Sequence, residues 1–68
     1  KIDTIHPDIN YVNYKMVIWA KKNNIKIYAF TVNTLKEIEK AVKLNVDGVF
    51  TDDPSKTIKR LKEKQNAW

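Results

Sequence analysis

The chain has 68 residues, a formal charge of +5 and no cysteine. That is one domain at most, and a chain this short buries only about 60% of its unfolded surface, so a staple is needed. A disulfide is excluded and the lone His6 speaks against a four-ligand zinc site, which leaves oligomerisation or a larger parent chain.

A weak first strand is expected at residues 2–5, where Ile2 and Ile5 are the only apolar residues. The first helix is expected over residues 14–23. Asn13 is placed to cap it, Lys21 and Lys22 lie in its last turn, and Asn24 can take the left-handed position beyond it. Tyr14, Val17, Ile18 and Lys21 form one stripe. Met16, Trp19 and Ala20 widen it, so burial over much of the girth is expected. Residues 25–31 follow as a strand rich in β-branched and aromatic side chains.

The second helix carries the clearest local signature. Thr34 and Glu37 make a T-x-x-E capping box, in which each side chain reaches an orphan backbone N–H. Leu35, Ile38, Ala41 and Val42 form its apolar stripe, and Asn45 closes it. A strand is expected at residues 46–51. The third helix starts at Pro54, favoured at a first helical position, with Asp53 as its cap. Ile58 and Leu61 are its strong apolar pair, and the tail from Gln65 to Trp68 is expected to fray.

The order is (β)-α-β-α-β-α, which argues for an α/β fold with parallel strands and right-handed crossovers. A weak repeat runs through it. Asn24-Ile25 precedes Phe30-Thr31, and Asn45-Val46 precedes Phe50-Thr51. A TIM-type (β/α)8 barrel repeats such units eight times, although a small doubly wound sheet alternates in the same way. In the stronger strand Ile25, Ile27 and Ala29 point one way, and Tyr28 and Phe30 the other. Helices from this chain can cover one face only. The other face and the open edges need the remainder of a barrel or further copies of the chain.

Two blocks are diagnostic. Ala29-Phe30-Thr31-Val32-Asn33 is followed by Val46-Asp47-Gly48-Val49-Phe50-Thr51-Asp52-Asp53-Pro54. Together they resemble the C-terminal signature of the glycerophosphodiester phosphodiesterases, a W-T-V-N strand end and then V-D-G-I-I-T-D-x-P. The resemblance covers essentially the whole chain, with Phe30 where that family has tryptophan. It implies the last two to three βα units of a barrel, with no complete independent domain. It also implies a parent that hydrolyses glycerophosphodiesters to glycerol 3-phosphate and an alcohol. Calcium or magnesium, held by carboxylates, would orient the phosphate there, and histidines would act as acid and base.

Strand C-terminal ends face the active site of a barrel, which places Phe30, Asn33, Thr51 and Asp52 near the substrate mouth. Phe30 would be an apolar wall for the glycerol part, or plain core packing. Asn33 could bond a phosphate or a loop carbonyl, with turn chemistry before Thr34 favoured. Asp52 and Asp53 look like a metal-binding pair, but adjacent strand residues point to opposite faces. Asp53 reads as a cap and Asp52 as a tie to a loop or strand. Asp47-Gly48 reads as a tight approach into the strand, with glycine relieving a close backbone contact.

His6-Pro7 invites a general-base reading, but the histidines of the resembling family lie in an H-R-G type motif that is missing here, as are its E-x-D and E-N-T type metal motifs. No catalytic residue and no metal ligand is therefore assigned to this chain. Lys56, Lys59, Arg60, Lys62 and Lys64 against Glu63 give the last helix most of the excess charge. A solvated outer helix explains them, so no nucleic-acid partner is expected and a membrane surface gains no support. The alternatives are a non-catalytic βα module that oligomerises through its strand edges, and a basic surface-binding domain. The first residue is Lys1 rather than Met, which fits a fragment, a processed product or a trimmed chain. No apolar run approaches the roughly 20 residues of a membrane span. A cytoplasmic or membrane-associated parent is the expectation for localisation.

Overall fold

Polar residues set the ends of the helices, and the apolar residues between them set the layers. The computed structural model describes residues 3–67, with side chains described as far as Glu63. Strand β1 is Asp3–Ile5, β2 is Ile25–Ala29 and β3 is Gly48–Val49; helix α1 is Tyr14–Lys22, α2 is Leu35–Leu44 and α3 is Pro54–Ala67. A short 3-10 turn, Ile9–Tyr11, precedes α1. Ile2, expected to open the first strand, lies outside the described residues. So does Trp68, whereas the helical backbone continues through the tail to Ala67.

The strands form one sheet in the order β1-β2-β3, and both pairings are parallel. Asp3 stands beside Ile25 and Ile5 beside Ile27, while Tyr28 stands beside Gly48 and Ala29 beside Val49. The third strand is shorter than its apolar run. Its backbone pairing nevertheless reaches past both ends, since Asp47 N–H donates to Ile27 C=O at 2.9 Å and Phe50 N–H to Ala29 C=O at 2.8 Å.

The helix ends follow local chemistry. Asn13 accepts from the Met16 N–H at 2.9 Å, which satisfies one of the orphan donors of α1. Asn24 and Asn45 take positive φ of 57° and 58° beyond α1 and α2, a conformation asparagine tolerates better than most residues. Asp53 accepts from Lys56 N–H at 3.3 Å and opens α3 ahead of Pro54.

One core lies on the helix side of the sheet. Ile27 and Ala29 of β2 pack there with Val17 and Ala20 of α1, Ile38 and Ala41 of α2, and Ile9, Val12 and Val32 from the loops. The odd-numbered residues of β2 thus face the helices, as alternation requires. Two expectations fail. Only Val17 and Ala20 of α1 are buried, whereas Tyr14 is 69% and Trp19 51% exposed and Ile18 is exposed too. The helix packs chiefly against β2, with Met16 partly buried against the core, so Tyr14, Ile18 and Trp19 are left facing outward. In α3 it is Thr57, 2% exposed, that turns inward with Leu61, while Ile58 is 51% exposed. Thr57 can be buried because its hydroxyl has a partner in Thr51.

Candidate functional site

The C-terminal ends of the three strands meet at one end of the sheet. The first contributes His6, the second the run from Phe30 to Asn33, and the third the run from Phe50 to Asp53. Phe30 is held by its backbone: its N–H donates to Pro7 C=O at 3.0 Å and its C=O accepts from Ile9 N–H at 2.6 Å. Its side chain stays 41% exposed on the face without helices, and Phe50 is 50% exposed. The Phe30–Thr31 peptide is cis.

His6 joins this face. Its ring stacks on Tyr28 with centroids 6.0 Å apart and meets Phe50 at 5.4 Å in a tilted geometry. The sequence gives no periodic signal for that contact, since the three rings come from three separate strand regions. Below them Tyr28 lies over Gly48. A Cβ added at Gly48 would come within 2.5 Å of Tyr28 Cδ1, so glycine is required by a ring and not by a backbone approach as expected. Asp47 ties the same strand pair from its edge. Its carboxylate accepts from Ile27 N–H at 2.8 Å and lies 3.8 Å from Lys26 Nζ.

Asn33, Thr51 and Asp52 are brought together. Asn33 Oδ1 accepts from the Thr51 hydroxyl and from Asp52 N–H, each at 3.0 Å. Asn33 Nδ2 donates to Asp52 Oδ2 at 2.9 Å. The Thr51 hydroxyl has one proton and gives it to Asn33, so in the 2.8 Å contact with Thr57 it is Thr57 that donates. Thr51 Oγ1 also accepts from Asp53 N–H at 3.2 Å. The loop-tie expected of Asp52 is present, and its partner is Asn33. Thr57 is the member of this network that sequence reasoning missed. Its i, i+4 spacing to Leu61 was the available signal.

Glu37 sits at the margin. Its carboxylate accepts from Thr34 N–H at 2.9 Å and from Asn33 N–H at 3.0 Å, while Thr34 Oγ1 accepts from Glu37 N–H at 3.2 Å. The Thr34 amide first, then that of Asn33, hold its carboxyl below the ordinary value of 4.5, against a small opposing effect of burial. The donors that favour the anion outweigh desolvation because the group is mostly in water.

These residues do not fit a divalent cation. Asp52 is turned to Asn33 and Asp53 to the start of α3, so the two carboxylates serve separate partners. Among the described residues no three His, Cys, Asp or Glu side chains are grouped to hold an ion. What the arrangement offers is an aromatic surface beside a rigid polar clamp.

Known proteins share this sequence pattern. The model of the glycerophosphoryl diester phosphodiesterase family matches residues 1–56, a span that contains both diagnostic blocks. A curated glycerophosphodiester phosphodiesterase from Caldanaerobacter subterraneus subsp. tengcongensis is 32% identical over 60 residues, which is 88% of this chain and 25% of that protein. The chain therefore spans about a quarter of the length of that relative.

Proposed function

The chain belongs to the glycerophosphoryl diester phosphodiesterase family, and from that premise we propose that it forms the last βα units of a (β/α) barrel that hydrolyses glycerophosphodiesters to glycerol 3-phosphate and an alcohol. The match over residues 1–56 carries this reading. The parallel strands in sequential order and the helices gathered on one face support it, because a barrel is wound in one direction and keeps its helices outside. A doubly wound sheet reverses its strand order and covers both faces.

In this reading the face without helices is the barrel interior, and its upper end is the mouth. Phe30 walls the glycerol part of the substrate, its ring taking the place of the family's tryptophan without an indole N–H. The remainder of the barrel covers the open sheet edges. Calcium or magnesium, held by carboxylates of that remainder, would polarise the phosphate when bound. Asp52 and Asp53 are committed elsewhere, so no step through the ion is assigned to this chain.

The isolated 68-residue chain is accordingly inactive. Purified chain with a chromogenic phosphodiester and calcium or magnesium is expected to give no turnover; turnover abolished by EDTA would overturn that. A full-length barrel ending in this segment is expected to cleave glycerophosphodiesters, and failure to do so would overturn the phosphodiesterase reading.

A further inference from the structure

We propose that Asn33 is a positioning residue, exchangeable with Asp52, whose side chain fixes the spacing between the ends of β2 and β3. The argument starts from hydrogen-bond capacity. A carboxamide oxygen has two lone pairs. Both on Asn33 are taken, one by the Thr51 hydroxyl and one by Asp52 N–H, each at 3.0 Å. The amide nitrogen donates to Asp52 Oδ2 at 2.9 Å, and the backbone N–H is taken by Glu37 at 3.0 Å. One side chain thus bonds the backbone, the carboxylate and the neighbouring hydroxyl of a segment 18–19 residues away. Through these contacts Asn33 holds the mouth.

The geometry fixes more than one loop. Phe30 lies three residues before Asn33 and Phe50 one residue before Thr51, so the clamp sets how far apart the two exposed rings stand. Thr51 passes the restraint to Thr57, and thereby to the buried side of α3. The clamp itself stands on geometry alone. What the mouth does with it rests on the phosphodiesterase reading.

The Asn33–Asp52 contact has a testable symmetry. In Asn33→Asp, Oδ1 still accepts from Thr51 and Asp52 N–H, but the second oxygen meets the Asp52 carboxylate. Like charges at this distance repel. In Asp52→Asn an amide oxygen can still accept from Asn33 Nδ2, so that variant changes little. In the double exchange, residue 52 turns its amide nitrogen toward the carboxylate at position 33, and every bond returns, with the donor reversed only in the bond between the two side chains.

The experiment is a double-mutant cycle on the chain, read by thermal unfolding and by hydrogen exchange at the residue 52 backbone N–H. Asn33→Asp is expected to lower the midpoint by about 4–8 °C. Asp52→Asn should shift it far less, and the double exchange should return it to the wild-type midpoint with the residue 52 amide again protected. If Asn33→Asp fails to fold, folding of the double exchange is itself the rescue. A double exchange no better than Asn33→Asp, or an Asn33→Asp midpoint equal to wild type, overturns the proposal. No activity enters the cycle, so its failure is distinct from failure of the phosphodiesterase reading.

Discussion

At the scale of single residues, steric fit at Gly48 is the most exacting condition in the sheet. The position has no positive φ, so its requirement for glycine comes from space alone. Tyr28 cannot swing away without leaving the stack with His6. Gly48→Ala is therefore expected to destabilise the chain by about 1–3 kcal/mol, the range for forcing extra volume into a filled site. Urea denaturation measures it. Coupling is the discriminating result: in a Tyr28→Ala background the same substitution should have much less effect. Equal effects in both backgrounds would place the clash elsewhere.

At the scale of the element, α2 is the helix whose start is best defined. Its capping box joins Thr34 and Glu37, and a second amide, from Asn33, reaches the same carboxylate. The folded-state pKa of Glu37 lies below its ordinary 4.5. Its contribution to stability is therefore complete above about that pH and is lost as pH falls through the lowered folded value. Glu37→Gln keeps an acceptor and removes the titration, so its melting temperature should fall less than that of wild type on acidification below 4.5. A carboxyl NMR titration of Glu37 with its midpoint at or above 4.5 would contradict the assignment.

Such caps were legible because they depend on residues three apart. Asn13, Thr34, Asn45 and Asp53 do in the fold what their spacing implies. The faces of α1 were less legible. Apolar residues run nearly around that helix, so periodicity could not choose a side, and Tyr14 and Trp19 face outward. Helix α3 misled in the opposite way, because burial of Thr57 depends on a hydroxyl six residues earlier and not on its own apolar character. At the site, strand ends could be named from sequence, but the Asn33–Thr51–Asp52 contacts span 18–19 residues and follow from strand register, which no local pattern encodes.

For the whole molecule, the radius of gyration is 11.6 Å, close to the about 11 Å of a compact chain this long. Compactness has not hidden its apolar surface. Phe30 and Phe50 lie open on one face, and Tyr11, Tyr14, Ile18 and Trp19 lie open around the start and outside of α1. Large contiguous apolar surface seeks cover. The isolated chain is expected to self-associate with rising concentration, and Phe30→Lys with Phe50→Lys should shift it toward monomer. Size exclusion with light scattering reads both. A well-folded monomer at all concentrations would show that the open face needs no partner.

The seam between β2 and β3 is closed partly by a side chain. Beside β3, the Asp47 carboxylate has occupied the Ile27 amide that a longer neighbouring strand would have used, and Lys26 leans toward it. Asp47 thereby lets a two-residue strand hold its place beside β2 with few backbone bonds. The contact lies inside the sheet, so it leaves both rims, the outer edges of β1 and β3, open to further strands.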